Sequence, residues 1–547
     1  MRNSKYILFA SLLVSALTAS AQETYQDAKL ATPQLTGTAR YVGMGGAMEA
    51  LGADISTIST NPAGIGLFSK TSISATAGVI AQSDAKKYTE WNGYRVNFDG
   101  KQSHPTFDQI GIVWSQGNTS GRNRLNLAFN YHKNTDFGQI LNAANNLGGA
   151  SQNKLTAVKN FENTRGWSAI DANYGGYKDN RESYQPGLLN VYTDKNLLYE
   201  GAQDFRFGKY EHGYIGEYDF NISGSIHNRV WLGLTVGIHD VHYNNNSIYN
   251  ELLQDGNMAT SYEQTKITGT GFDVKGGIIF RPVETSPFRI GLYFNSPVFY
   301  DLKLRGASDI TMDGDNAPAT YKAAAEQGKP APVEMPIYNK GDKGQSVDYD
   351  FRLNTPWKVG ASLGHTICRQ LALGATYEYA WYSHMDNRVK TGGTYDWYYG
   401  DYYETSASDE AMNRDTRLNL QGVSTVKLGL EYKPINMVAL RLGYNYVSPM
   451  FKDSAFRDAT LGSRGVDAST STDYTNWKAI NRITAGVGFS YLNWNIDVAY
   501  QYSQQNGDFY AFMPYTNAES PQLNNVSPAT KVSNKRHQLL LTVGYKF

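Results

Sequence analysis

From Leu539 to the end of the chain the odd positions read Leu539, Leu541, Val543, Tyr545 and Phe547, against Leu540, Thr542, Gly544 and Lys546. Such alternation gives a β-strand one apolar face and one small or polar face. The pattern recurs upstream. Trp494, Ile496, Val498, Tyr500 and Tyr502 oppose Asn495, Asp497 and Gln501, and Ile483, Ala485, Val487, Phe489 and Tyr491 oppose Thr484, Gly486, Gly488 and Ser490. Val438, Leu440, Leu442, Tyr444 and Tyr446 share a face, as do Val426, Leu428, Leu430 and Tyr432. Lys433-Pro434-Ile435-Asn436 reads as the tight connection between these two runs.

Runs of this kind predict about fourteen strands. Their cores lie near 71–80, 108–116, 123–133, 212–226, 229–243, 264–281, 287–305, 347–366, 369–383, 421–433, 437–448, 479–491, 493–503 and 535–547. Long connections follow the odd-numbered strands and short ones the even-numbered. An even count with long loops on one rim and tight turns on the other is the pattern of a membrane barrel. The predicted fold class is therefore all-β, a transmembrane antiparallel β-barrel over residues 71–547. The polar stretches 134–210, 306–346, 385–416 and 504–532 read as its long loops. Tyr377-Glu378-Tyr379-Ala380-Trp381-Tyr382 and Tyr500-Gln501-Tyr502 place aromatic rings near strand ends, where an interfacial girdle would sit.

Residues 22–70 do not alternate. They contain Gly37-Thr38-Ala39-Arg40, Met44-Gly45-Gly46-Ala47, Asp54-Ile55-Ser56-Thr57 and Asn61-Pro62-Ala63-Gly64. Small residues allow backbones to approach closely, and Pro62 fixes its own φ while restricting Asn61. The segment reads as a compact hatch of short helix and tight turns. Gly43 to Gly46 lacks the preceding strand and the glycine spacing of a nucleotide-binding loop.

Composition narrows the class further. Lys+Arg and Asp+Glu balance at 50 each, so no field of one sign favours nucleic acid as a partner. The lone Cys368 excludes an intrachain disulfide framework and a cysteine-ligated zinc site. Arg2 and Lys5, the apolar run from Tyr6 to Leu17 and Ala19-Ser20-Ala21 form a secretory signal peptide over 1–21, cleaved after Ala21. Its apolar run falls short of the roughly 20 residues that span a bilayer as a helix. A mean hydropathy of −0.47 does not exclude a barrel, whose two faces average to a polar mean.

The four N-terminal motifs resemble the hatch of the FadL/OmpP1/TodX family of outer-membrane transport proteins. Weaker similarities run along the barrel: Phe288 to Leu292 with Asn295-Ser296-Pro297, Thr355 to Gly360, Leu440 to Tyr444 with Ser448-Pro449, and Asn481 to Gly486. The resemblance implies a fourteen-stranded barrel with a small N-terminal hatch in the outer membrane of a Gram-negative cell. It also implies passive transport of hydrophobic small molecules such as long-chain fatty acids or aromatic hydrocarbons. In the family the hatch moves and the ligand leaves sideways at a kinked strand, which this sequence does not locate. The loops are longer here, so the substrate transfers least.

On this reading Gly43, Gly45, Gly46, Asn61, Pro62 and Ala63 are the hatch and gating residues. Tyr545 and Phe547 close a strand that resembles the signal read by the barrel-assembly machinery. Inward charges, Lys275, Arg289, Glu378, Lys427, Glu431, Arg441, Arg482 and Asp497, would form a salt-bridged polar lining that holds the hatch. His239 and His242 would point to opposite faces of one strand, so they would not share a metal without a bulge. Neither catalysis, metal nor cofactor is expected. The expected partners are a hydrophobic ligand, outer-membrane lipid, lipopolysaccharide and the assembly machinery, with the chain a monomer. A haemin-binding receptor, a general porin and an outer-membrane enzyme are the alternatives.

Overall fold

The computed structural model describes residues 23–155, 201–312 and 346–547, except 33, 117–122, 153, 255, 257, 399, 459–460 and 462–470. The expected signal peptide lies outside the described residues.

The sheet closes on itself as a barrel of fourteen antiparallel strands, several of them in two pieces. The first is β1 (Ser72–Gln82), followed by a small separate hairpin, β2 (Tyr88–Trp91) and β3 (Tyr94–Asn97). The second is β4 (Ser103–Gln116), and the third is divided into β5 (Arg124–Asp136) and β6 (Gln139–Asn146). Then come β7 (Ala202–Ile226), β8 (Val230–Leu253) and β9 (Met258–Phe280). The next four are each broken: β10 (Arg289–Asn295) with β11 (Phe299–Met312), β12 (Ser346–Asn354) with β13 (Lys358–Ile367), β14 (Leu371–Ala380) with β15 (Asp386–Asp396), and β16 (Asp401–Ser408) with β17 (Val423–Ile435). The wall ends with β18 (Val438–Val447), β19 (Tyr474–Tyr491), β20 (Trp494–Tyr510) and β21 (Thr530–Lys546), which pairs with β1 in the register Ser72↔Lys546.

The alternation read along the chain becomes inside and outside. Leu442 and Ile483 are each 60% exposed on the outer surface, whereas Arg441 and Arg482 are buried within. Large apolar side chains on the outside recur on nearly every strand, including Ile112, Phe220, Leu234, Leu292, Leu363 and Leu541. An apolar outer band around a polar interior is what a bilayer requires of a spanning barrel. The short rim turns tightly: His227-Asn228 and Cys368-Arg369 both have positive φ at the two central positions, as the favoured two-residue hairpin turns demand.

Several expectations need correction. β7, β8 and β9 run for 25, 24 and 23 residues, well past the roughly 9–11 that cross a bilayer. The strands therefore reach into stretches read as loop, within 134–210 and again in 504–510. Outside the membrane neither face need be apolar, so the period carries no hydrophobic signal. For the same reason 385–416 holds β15, β16 and the start of a helix, Glu410–Asn419. The runs 287–305 and 347–366 are each interrupted, at Ser296-Pro297-Val298 and Thr355-Pro356-Trp357, because proline has no N–H for the ladder. The connection expected at Lys433 to Asn436 turns instead at Asn436-Met437, with a register shift after Tyr432.

Candidate functional site: hatch, cavity and an opened ladder

The N-terminal segment fills the lumen. A helix, Thr24–Ala31, lies at the end of the long loops; below it come a one-turn helix, Ala39–Gly43, and two 3-10 turns, Ile55–Ser59 and Pro62–Leu67. The segment meets the wall along inward-facing glycines. Gly364, Gly374, Gly429 and Gly443 stand opposite one another on four successive strands. A Cβ on Gly374 would land on the Ala47 carbonyl, one on Gly429 on the Met44 carbonyl, and one on Gly443 on the Met44–Gly45 peptide. The hatch reciprocates. Gly45 has φ +63°, and a side chain there would strike the backbone of Leu428 and Tyr444. Gly43 lies against Gly486, and Gly46, also at positive φ, against Leu35.

Asn61, Pro62 and Ala63 dock on the opposite side. The Asn61 side chain accepts from Ala63 N at 3.2 Å, capping the turn, and its Nδ2 donates to Glu49 O at 3.1 Å. Ser223 Oγ donates to Pro62 O at 2.9 Å; Gly233 leaves room for the Pro62–Ala63 peptide, and Gly277 for the Asn61 side chain and the Pro62 ring.

Of the eight expected inward charges, Lys427, Glu431 and Arg289 bond the hatch directly. Lys427 Nζ donates to Glu49 Oε1 at 2.7 Å, and Glu49 also accepts from Thr376 Oγ1 at 2.7 Å and Tyr41 OH at 3.1 Å. Glu431 takes Arg40 at 3.0 and 3.2 Å and Arg441 Nε at 2.7 Å, while Arg441 Nη1 reaches Asp497 at 2.6 Å. Arg289 Nη1 donates to the Leu51 carbonyl at 2.8 Å. Arg482 stands apart: it donates to Asn445 Oδ1 at 2.7 Å and lines the cavity above. Glu49 was missed in the sequence, and Arg40 was read only as part of a hatch motif. A charged residue inside a glycine-rich buried segment was the available signal, since a buried charge without a partner is strongly unfavourable.

That cavity, about 180 Å³, lies between Tyr25 to Thr36 and the wall. Its apolar lining includes Leu30, Phe137, Ile267, Phe451, Trp477 and Ile480; Lys133, Asp136, Arg482 and Arg536 supply charge. It borders an interruption in the wall. The β4–β5 ladder stops at Gln109↔His132, although β4 goes on pairing with β1 to Ser103. β5 shifts register after Lys133, Phe137-Gly138 interrupts the strand, and β6 pairs with β7 but not with β4. The ladder is thus open beside Ser103–Asp108. Side chains cross the gap: Lys133 Nζ reaches Thr106 Oγ1 at 2.6 Å, and Asp136 contacts His104 at 3.1 Å and Arg536 at 3.2 Å.

At the mouth, Thr24 Oγ1 donates to Asp415 Oδ2 at 2.7 Å, and Tyr382 OH donates to Ala31 O at 2.6 Å. Burial pushes the Asp415 carboxyl up to about 7, with Glu23 adding to the rise against the Thr24 hydrogen bond. Asp27, on the same helix, is raised too, by burial and then by Glu23. At the seam Tyr545 packs edge-on against Trp494 and Phe547, and Phe547 N donates to Thr71 O at 2.9 Å.

No family model and no curated protein matches the chain. Many solved structures resemble it, among them the following. A FadL homologue from Pseudomonas aeruginosa shares 14% identity at a TM-score of 0.49, with 94% of this chain and 99% of that one covered. The monoaromatic hydrocarbon channel CymD and the toluene transporter TbuX of Ralstonia pickettii each share 12%, at TM-scores of 0.45 and 0.46 and the same coverage. The chain is similar to these barrels over nearly its whole length, at identities that bear on fold alone.

Proposed function

We propose that the protein is a passive outer-membrane channel for hydrophobic small molecules, with the hatch as its gate. The observation that carries this reading is the cavity beside the opened ladder at the third strand. A solute captured there has the hatch beneath it, while the wall beside it lacks a backbone bond to break. Such a solute exchanges water for Leu30, Phe137, Phe451 and Trp477, each buried CH₂ contributing roughly 0.8 kcal/mol. The lining sets six basic side chains against five acidic ones, a small positive excess that favours a ligand with one anionic end, a long-chain fatty acid rather than a plain aromatic hydrocarbon. Residues 22–70 are the hatch and 71–547 the barrel; the signal peptide, cleavage after Ala21, lipopolysaccharide contact and a monomeric state belong to the same proposal.

The test is uptake of a labelled long-chain fatty acid and of a small aromatic hydrocarbon by cells with and without the protein. Replacing Phe137-Gly138 by Val-Thr, to continue β5 into β6, should reduce fatty-acid uptake while the barrel still assembles. Equal uptake in all three strains rejects the proposal.

A further inference from the structure

Four adjacent strands turn ionisable side chains toward one place in the wall, farther from the short turns than the hatch contacts at Gly224, Gly233 and Gly277. They are His132 on β5, Glu217 and Asp219 on β7, His239 on β8, and Asp273 and Lys275 on β9, all buried. Lys275 Nζ donates to Glu217 Oε1 at 2.5 Å, Asp273 Oδ1 at 2.7 Å and Asp219 Oδ1 at 3.1 Å. Three carboxylates face one ammonium here, so acidic side chains outnumber the lysine by two in a buried site. That is the charge of one divalent cation.

The contacts of the histidines point the same way. His239 is 1% exposed, and neither of its ring nitrogens has a hydrogen-bond partner; Asp219 Oδ2 is likewise unpartnered. Yet carboxylates stand beside both rings. His239 Nδ1 lies 3.9 Å from Glu217 Oε2 and Nε2 lies 3.6 Å from Asp273 Oδ1, while His132 Nε2 lies 3.4 Å from Glu217 Oε2 and Nδ1 lies 3.4 Å from Asp219 Oδ2. Charge-assisted bonds between imidazolium and carboxylate would close to about 2.7–2.9 Å. Donors sharing one tetrahedral zinc ion at about 2.0–2.2 Å stand roughly 3.3–3.6 Å apart. One ring nitrogen of His239 and one oxygen each of Glu217 and Asp273 lie within 4.8 Å of one another, so small side-chain rotations would bring them into that range.

We infer that the wall holds one divalent cation of the zinc class, ligated by Glu217, His239 and Asp273. His132 and Asp219 stand beside it, and a histidine–carboxylate donor set suits zinc, iron or nickel better than magnesium or calcium. The site has a mechanical consequence. Asn134 Nδ2 donates to Glu217 Oε2 at 2.5 Å from the stretch where β5 leaves the ladder, so a ligated Glu217 fixes the third strand at its bulge.

The experiment uses the full-length chain extracted in detergent without an affinity tag. It is stripped with EDTA, loaded with Zn²⁺, desalted and analysed for metal, and titrated in parallel with Co²⁺ for visible absorption. The expected result is one zinc per chain and a Co²⁺ spectrum of mixed nitrogen and oxygen donors. Affinity should fall by at least about tenfold in His239→Ala and Glu217→Gln. His242→Ala, a half-exposed neighbour paired with Asp240, should bind as the wild type does. Zinc should also slow amide exchange over residues 132–136 of the wild type. Failure of the wild type to retain zinc, or equal retention by His239→Ala, overturns the inference. If the variants do not fold, the stripped and loaded wild type decide alone: unchanged exchange and no retained zinc reject the site.

Discussion

At Gly429 a methyl group has nowhere to go, because the Met44 carbonyl occupies the space and Met44 is itself held by the neighbouring peptide against Gly443. Gly276, four strands away around the wall on β9, has nothing within 4 Å of a Cβ position. Gly429→Val is therefore expected to disturb hatch docking, at about the 1–3 kcal/mol typical of overpacking, without breaking the ladder. Influx of a small polar solute should rise in Gly429→Val and stay at the wild-type level in Gly276→Ala. Equal influx in the two variants would sink the docking argument. The charged contacts work by the opposite logic. Glu49→Gln leaves Lys427 buried without its counter-ion, a loss of about 3–5 kcal/mol for a buried pair. Amide exchange over 39–66 should accelerate far more than exchange in the strands. Asn61→Ala removes one turn cap and a bond to Glu49, so a smaller effect of about 1–2 kcal/mol is expected in the same measurement.

Among the elements, the docking of the helix Thr24–Ala31 depends on pH. Asp415, which accepts from Thr24, titrates at about 7 in the folded chain against an ordinary 3.8. A carboxyl whose folded pKa is raised holds its proton more tightly when docked, so its contribution favours the docked state at low pH. That contribution is lost progressively as pH climbs from about 4 through 7, and Asp27 acts in the same direction. Exchange protection of 24–31 and 410–419 should accordingly fall between about pH 4 and pH 7. Asp415→Asn should flatten most of that dependence, and an unchanged profile would remove Asp415 from the account. The broken strands are the other element-scale feature. Pro297 and Pro356 stand on neighbouring strands at one level, where the ladder resumes in the register Phe299↔Asn354. Both prolines stood in plain view in the sequence, inside runs whose alternation on either side concealed the break.

For the whole molecule, the hatch contacts the wall through glycines and ion pairs while the wall closes through β1 and β21. These are separable. Deleting residues 24–66 should leave a barrel that still shows heat-modifiable gel migration and admits small polar solutes. A variant that fails to assemble would mean that the hatch is part of the folding core. Replacing Tyr545 and Phe547 by glutamate should instead lower the amount of assembled barrel, because it places charge on the lipid-facing side of the seam, where Phe547 is 64% exposed. Normal assembly would count against the C-terminal strand as an assembly signal.

What the sequence determined by itself was the wall. Period-two alternation follows from a sheet with lipid on one side and a polar interior on the other, so fourteen strands, their inward charges and the short rim were legible residue by residue. The hatch was legible as a segment, since its motifs are contiguous. Tertiary structure decided everything that depends on which strands become neighbours. The opposition of Gly364, Gly374, Gly429 and Gly443, the pairing of Glu49 with Lys427, and the gathering of His132, Glu217, His239 and Asp273 join positions far apart in the chain through cross-strand register. His239 and His242 illustrate the difference. Spacing along one strand separated them, and the register of adjacent strands surrounded His239 with carboxylates. The opened third strand belongs to the same class, because a missing ladder partner is a property of two strands and leaves no mark on either one alone.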